Sequence, residues 1–222
     1  MTRVVEVETP AGLARLHVDV PAAPDPRAPA LLLGHGAGNG VDTADLEALA
    51  AGLSARGVVV VRLEQPWKVA GRRVATPPAT LDAGLRAVVP AVRDLAGLDA
   101  AAPLVVGGRS AGARSALRCA RGIHAIGVLA LAFPLHPPGR PERSRLAELQ
   151  DAGVPTLVVQ GERDPFGRPE ELPDPLPAHV RLHVVPAADH ALRTAARGPV
   201  STADALAAVV AAVAAWIDDL PR

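Results

Sequence analysis

The stretch that decides the fold covers residues 104–112 and reads LVVGGRSAG. Its apolar start is typical of a strand that is buried on both faces of a sheet. The run passes directly into the pattern Gly-x-Ser-x-Gly, in which Ser110 stands between Gly108 and Gly112, and residues 113–121 then favour a helix. A serine on so sharp a turn adopts a strained backbone conformation, and the two glycines remove side chains that would collide with their neighbours. The stretch therefore predicts a strand, a nucleophilic Ser110 and a helix; a glycine-rich turn with an idle serine is the alternative.

The rest of the chain repeats this alternation of strand-like and helix-like segments. Apolar runs of strand length cover residues 30–33, 58–63, 104–107, 125–132, 156–160 and 181–185. Upstream, residues 3–8 and 13–20 flank a Pro-Ala-Gly turn and predict a hairpin at the sheet edge, within residues 1–20. We therefore expect one α/β domain spanning residues 1–222, with a mostly parallel, twisted sheet of six to eight strands and helices on both faces.

Capping residues suggest where the helices begin and end. Asp42 is expected to cap a first helix that Gly57 ends. Thr80 is expected to cap a second helix, which Pro90 should kink. The last helix is predicted over residues 201–220, because its apolar residues recur at helical spacing.

Charge and cysteine content exclude several function classes. Lys and Arg total 23 and Asp and Glu total 23, which leaves no basic stripe for nucleic acid. The single Cys119 cannot form an internal disulfide and is expected to be a small core residue. With no signal-like segment at residues 1–10, we expect a cytoplasmic protein. The apolar stretches at residues 58–61 and 205–217 are too short or too alanine-rich to span a bilayer, which needs about 20 residues, so no membrane segment is expected.

A serine hydroxyl needs a general base, and the base needs a third group that fixes its tautomer. In chain order the acid should follow the strand at residues 156–160, where Asp164 stands. The histidine should follow the last strand, where His190 stands. Because parallel strands present their carboxyl ends at one edge of the sheet, Ser110, Asp164 and His190 are predicted to meet there.

Other acids and histidines compete for these roles. Glu162 is the rival acid, although it lies nearer the strand end than Asp164. Asp189 adjoins His190 and cannot easily reach its ring, so a local turn role is expected. Four further histidines lie in or beside strands and are expected to be surface or packing residues: His17, His124, His179 and His183.

The first core strand ends in the small-residue loop LGHGAGNG at residues 33–40. The backbone amides of Ala37 and Ala111 are predicted to hold the oxyanion, with Gly38 as the alternative to Ala37. The glycine spacing does not match a dinucleotide site, even with Glu64 on the next strand, and no Lys-Ser/Thr follows for a nucleoside triphosphate. We therefore expect no cofactor and no metal.

Taken together, these motifs resemble the α/β-hydrolases related to dienelactone hydrolase. They resemble more closely a small family that contains testis-expressed hydrolase-like proteins and a subunit of the chromatin-associated NSL complex. The family usually has Met after the nucleophile and Gly before Arg114, where this chain has Ala111 and Ala113. The matching stretches are residues 34–38, 71–73, 107–114, 134–139 and 160–167.

The resemblance implies the α/β-hydrolase fold and hydrolysis of a small acyl substrate: an ester, a thioester or a lactone. Its chromatin-associated member implies an alternative, a non-catalytic binding or scaffold module.

Residues 133–154 are too few for a cap domain and predict a proline-rich, lid-like wall, opposite Trp67 and residues 71–73. Arg109, Arg114 and Arg168 could select an anionic substrate, although Arg114 could instead pair with a loop carboxylate. His136 could bind substrate, and a structural role in bracing its own loop is an equal alternative. The residues expected to contact substrate are Gly38, Trp67, Arg109 and His136.

Overall fold

The computed structural model describes residues 2–24, 28–96, 103–198 and 200–221. The remaining positions of the expected domain, among them residue 1 of the predicted hairpin, lie outside the described residues. Eight strands are found within the described ranges. They are Thr2–Thr9 (β1), Gly12–Asp19 (β2), Ala30–Gly34 (β3), Val60–Glu64 (β4), Leu104–Arg109 (β5), Gly127–Leu131 (β6), Thr156–Gly161 (β7) and Val180–Val185 (β8).

All eight strands join one sheet in the order β1-β2-β4-β3-β5-β6-β7-β8. The six strands β3 to β8 pair in parallel, whereas β2 is antiparallel to both β1 and β4. The predicted hairpin therefore forms one edge of the sheet. This topology confirms the expected mostly parallel α/β sheet. Because β3, β5, β7 and β8 run in the same direction, their carboxyl ends lie on the same side of the molecule.

The described residues form six α-helices, which lie on both faces of the sheet. On one face, residues of the first and last helices share a core with Leu31 and Leu33; on the other, residues of the third and fourth helices pack with Leu32. A strand covered on both faces needs apolar side chains at every position, which explains the continuous run in β3. The helices are Ala44–Ser54 (α1), Pro66–Val69 (α2), Pro78–Leu95 (α3), Ala111–Cys119 (α4), Leu146–Asp151 (α5) and Thr202–Asp218 (α6).

Two of the predicted helix starts are wrong. The N-cap of α1 is Thr43, so Asp42 lies one residue too early to cap it. Helix α3 begins at Pro78, whose fixed φ suits the first helical position, and Thr80 therefore lies inside the helix. Helix α6 begins as predicted, because the Ser201 hydroxyl accepts the backbone N–H of Asp204.

The lid-like segment at residues 133–154 is small. It contains the 3-10 turn Pro141–Arg143 and the six-residue helix α5. This segment is too small to be a cap domain, so the architecture is an α/β-hydrolase fold without a separate lid, as expected. Within the described ranges, no helix combines the length and the apolar character needed to cross a membrane.

Candidate active site

Ser110 lies between β5 and α4 with φ 53° and ψ −109°, a conformation that L-residues rarely adopt. The two flanking glycines make this turn possible. A Cβ on Gly108 would lie 2.3 Å from the carbonyl oxygen of Gly34, and a Cβ on Gly112 would lie 2.5 Å from the same atom. No real Cβ tolerates such distances, so the close packing of β3 against the turn requires glycine at both positions.

The predicted nucleophile and its two predicted partners lie in contact. His190 Nε2 accepts the Ser110 hydroxyl at 3.0 Å, and His190 Nδ1 donates to Asp164 Oδ2 at 2.8 Å. They come from the ends of β5, β7 and β8, so their side chains converge although 80 residues separate Ser110 from His190. This is the geometry in which an imidazole can take a proton from a hydroxyl while a carboxylate holds its other nitrogen.

Asp164 is completely buried. Besides His190, its carboxylate accepts the backbone N–H of Phe166 at 2.8 Å and the side-chain amide of Gln160 at 3.0 Å. The Gln160 side chain also accepts the backbone N–H of Phe133 and donates to the carbonyls of Phe133 and Gly167. One buried amide at the end of β7 therefore fixes the turn that carries Asp164 and the start of the neighbouring 133–154 segment.

The rival acid, Glu162, does not contact the imidazole. Its carboxylate accepts the backbone N–H of Ala187 at 2.6 Å, which ties the two loops together. Asp189 accepts the backbone N–H groups of Ala191 and Arg193, the local turn role expected for it. One face of the His190 ring stacks against Phe166, whose ring centroid lies 4.1 Å away.

The loop after β3 is held by its own first residue, His35, which is buried. His35 Nδ1 donates to the Gly36 carbonyl at 2.8 Å, and Nε2 accepts the backbone N–H of Gln65 at 3.1 Å. Burial lowers the pKa of His35, so the neutral ring that these two bonds require is favoured. A Cβ built on Gly36 would lie 3.6 Å from the β-carbon of Ser110, which shows how closely this loop approaches the serine.

The two predicted oxyanion donors directly follow Gly36, which approaches the Ser110 side chain, and Ser110 itself. Ala111 is the first residue of α4, so its N–H has no acceptor within the helix. Ala37 follows Gly36 at the exposed surface of the loop, and no described residue accepts its N–H. Neither N–H therefore has a backbone acceptor among the described residues.

Comparison with known proteins identifies the family of the domain. Residues 27–218 match the family model described as an alpha/beta hydrolase domain. The chain belongs to this alpha/beta hydrolase family.

Solved structures share its fold at low sequence identity. An a/b serine hydrolase without lid from Xanthomonas campestris is 21% identical, with a TM-score of 0.68 over 100% of this chain and 96% of that one. Dienelactone hydrolase from Anabaena variabilis is 18% identical, with a TM-score of 0.72 over 100% and 99% of the two chains. Est1E from Butyrivibrio proteoclasticus is 14% identical, with a TM-score of 0.71 over 97% and 99%.

In this alpha/beta hydrolase, the residues expected to bind substrate divide into two groups. Gly38 and Trp67 line an open pocket of about 320 Å³ together with Lys68, Gly71, Arg72 and Arg73. Arg109 and His136 contact the protein, and Arg109 also lines a neighbouring pocket of about 500 Å³ with Gly38 and Lys68. Arg109 is only 6% exposed and donates to the carbonyl of His190, and His136 braces its loop by donating to Pro137 and Glu171. The Pro137 carbonyl and the Glu171 carboxylate raise the pKa of His136.

Arg114, the second arginine near the nucleophile, forms a bidentate pair with Glu148 on α5, at 2.8 and 2.6 Å. Arg168 is exposed and lies 3.8 Å from Glu170.

Burial raises the pKa of the Cys119 thiol to about 11, in keeping with the core position expected for it.

Several residues that shape the site were missed by sequence reasoning, namely Gln160, Phe166, His35 and Asp45. Gln160 could have been found, because an amide at the end of a buried apolar run needs partners. The stacking of Phe166 and the pairing of Asp45 with Arg109 leave no such signal, since both depend on how distant segments pack.

Proposed function

We propose that the chain is a serine hydrolase that acts on a small acyl substrate through an acyl-enzyme intermediate. The observation that carries this proposal is the chain of contacts from Ser110 through His190 to Asp164. The strained turn at Ser110 supports it, because such a conformation is maintained at a cost and is concentrated at functional sites.

In the proposed reaction, Ser110 Oγ attacks the substrate carbonyl carbon while His190 Nε2 takes the hydroxyl proton. Asp164 stabilises the imidazolium that forms. The tetrahedral intermediate then expels the leaving group, which receives the proton from His190. Water then attacks the acyl-Ser110 ester while His190 Nε2 takes a proton from it. The second tetrahedral intermediate releases the carboxylic acid, and Ser110 Oγ receives the proton from His190. The N–H groups of Ala37 and Ala111 are proposed to stabilise the negative oxygen of both tetrahedral intermediates.

The substrate pocket favours an acyl compound with an anionic group. Lys68, Arg72 and Arg73 line it, no carboxylate does, and none of the three cations forms an ion pair with a described residue. Trp67 Nε1 is buried there without an acceptor among the described residues. The pocket also includes Gly38, two residues after the glycine that approaches Ser110, so an anion bound here would lie near the reacting carbonyl.

The stretches at residues 34–38, 71–73, 107–114, 134–139 and 160–167 also lead us to propose kinship with the testis-expressed hydrolase-like proteins. Within that kinship a catalytic role is favoured here, because all three members of the proposed triad are present and in contact.

The central test is Ser110→Ala. We expect the variant to lose at least about 10³-fold in kcat on 4-nitrophenyl esters while it keeps the fold, because the nucleophile is absent.

The substrate class is tested by assaying the wild-type protein on a panel of ester, thioester and lactone substrates. The panel should include mono-4-nitrophenyl adipate beside 4-nitrophenyl hexanoate, which differ in a terminal carboxylate, and the adipate should have the higher kcat/KM.

Circular dichroism of Ser110→Ala provides the folding control, and a fluorophosphonate probe should label wild type but not the variant. Turnover by pure Ser110→Ala at the wild-type rate would refute the nucleophile assignment. A folded wild type that neither reacts with the probe nor hydrolyses any member of the panel would favour the binding or scaffold module.

A further inference from the structure

Arg109, the residue before the proposed nucleophile, carries a buried charge that connects separate parts of the site. Its Nη2 donates to the backbone carbonyl of His190 at 2.9 Å. Its Nε lies 3.3 Å from Asp45 Oδ2 on α1. With the Asn39 amide oriented to satisfy both of its own polar atoms, Arg109 Nη1 donates to the Asn39 oxygen at 3.1 Å. One guanidinium therefore joins the loop after β3, the turn at Ser110 and the loop that carries His190.

The charge of Arg109 is compensated inside the protein. Its side chain is 7% exposed and that of Asp45 only 1%. A buried guanidinium is unfavourable unless a carboxylate neutralises it, and Asp45 does so. The 3.3 Å contact does not have the geometry of a hydrogen bond, since Arg109 Nε and Asp45 Oδ2 have no hydrogen-bond partner among the described residues. The directed N–H bonds of Arg109 therefore go to His190 and Asn39, while Asp45 supplies the opposite charge.

The bond to His190 acts on the proposed general base itself. Other contacts hold the neighbouring residues of this loop: Ala187 binds Glu162, and Ala188 accepts the backbone N–H of Arg163. Phe166 stacks on the imidazole ring, but a stacked ring can still slide in its plane. Arg109 is the residue within the described ranges that fixes the main-chain carbonyl of His190, 81 positions along the chain.

From these contacts we infer that Arg109 is a positioning residue: together with Asp45 it holds His190 Nε2 within reach of the Ser110 hydroxyl. The inference rests on the proposed function, and it differs from the substrate-binding role that the sequence suggested for Arg109. A displacement of about 1 Å at a reacting group can lower a rate by about 10²-fold, so a tether on the base should affect the chemical step and not substrate affinity.

The test is the double variant Arg109→Met/Asp45→Asn. It removes the donor to His190 and leaves no unpaired buried charge, so it should fold. We expect kcat on 4-nitrophenyl hexanoate to fall by about 10²-fold with KM within about twofold of wild type, because the misplaced base slows the chemical step. Labelling by a fluorophosphonate should slow in parallel. The matched control is Arg62→Met/Asp19→Asn, which removes another largely buried arginine–carboxylate pair, with side chains 9% and 15% exposed, that does not contact His190 and should keep the wild-type kcat.

A raised KM with unchanged kcat would overturn the inference in favour of substrate binding, and wild-type values of both would show a purely structural pair. If the double variant does not fold, Arg109→Lys decides: its ammonium keeps the charge beside Asp45 but ends one bond short of the Nη2 position, from which Arg109 donates to the His190 carbonyl. A folded Arg109→Lys protein with wild-type kcat would also overturn the inference.

A readout that needs no turnover separates this inference from the proposed function. The Nδ1–H proton of His190, bonded to Asp164, should give a downfield proton NMR resonance in wild type and in the control. In the Arg109→Met/Asp45→Asn variant the resonance should shift or broaden. If wild type lacks activity but the resonance responds as described, only the proposed function fails; if wild type is active and the resonance and kcat do not respond, only the inference fails.

Discussion

Asp164 and Glu162 show how two carboxylates two positions apart come to differ. Asp164 is buried against the imidazole, and Gln160 and the backbone of Phe166 satisfy its remaining lone pairs. Glu162 is exposed and holds the backbone of Ala187. The turn that begins at Gly161 points the two side chains to different places, so their roles can be separated by substitution.

We predict that Asp164→Asn lowers kcat by a factor of the order of 10⁴, because an amide favours the wrong imidazole tautomer. Glu162→Gln should change kcat only a few-fold, since its contact is with the loop backbone. Steady-state kinetics of both variants on the same ester would test this, with circular dichroism to verify folding. A large loss in Glu162→Gln together with a mild one in Asp164→Asn would reverse the assignment.

At the scale of elements, the loop after β3 depends on a neutral histidine. His35 bridges the Gly36 carbonyl and the Gln65 N–H, and its ring also packs against Trp67 at a centroid distance of 5.4 Å. Protonation would place a second N–H on Nε2, opposite the N–H of Gln65, and so break the bond between the β3 loop and the residue before α2. The loop that carries Ala37 and the pocket wall that carries Trp67 would loosen together.

This gives a pH prediction for stability. Because burial lowers the pKa of His35 in the folded state, the unfolded chain binds a proton first as the pH falls below the ordinary histidine value of 6.5. The free energy of unfolding should therefore fall with decreasing pH below about 6.5. Urea unfolding of wild type and His35→Gln between pH 5 and 8 measures it.

The variant should lose part of this pH dependence, and the two proteins should respond alike above about pH 7, where His35 is neutral in both states. An equal loss of stability at pH 5 in wild type and His35→Gln would contradict the role given to His35.

For the whole molecule, the two tryptophans report on opposite parts of the sheet. Trp67 lies on α2 beside the candidate site, and Trp216 lies on α6 in the core of the face that α1 and α6 cover. Both are buried, so each should change its fluorescence when its surroundings unfold. We propose that the chain is one cooperative domain, in which a single sheet links both parts.

Single-tryptophan variants test that proposal. In Trp67→Phe only Trp216 remains, and in Trp216→Phe only Trp67 remains. Within each variant, the fluorescence and far-UV circular dichroism transitions in urea should coincide, as two-state unfolding requires. A Trp67 transition at clearly lower urea than the loss of helix signal would show that the site region unfolds separately.

The sequence alone determined the strands, the turn at Ser110 and the candidate partners Asp164 and His190. Each of these depends on local patterns: apolar runs where both faces of a strand are covered, glycines where backbones approach closely, and polar residues directly after strand ends. The helix starts at Thr43 and Pro78 were less predictable, because several nearby residues can cap a helix and the local sequence does not choose among them.

Only the tertiary structure decided what the side chains between these landmarks contact. It paired Arg109 with Asp45 and His190, where the sequence suggested a contact with substrate. It also paired His136 with Glu171, where the sequence left open both substrate binding and bracing of the loop. It also left Lys68, Arg72 and Arg73 around a pocket without carboxylates. The physical reason is that a charged side chain acts through its nearest partners and its burial, and both are set by elements that lie tens of residues apart in the chain and meet only when the sheet is assembled.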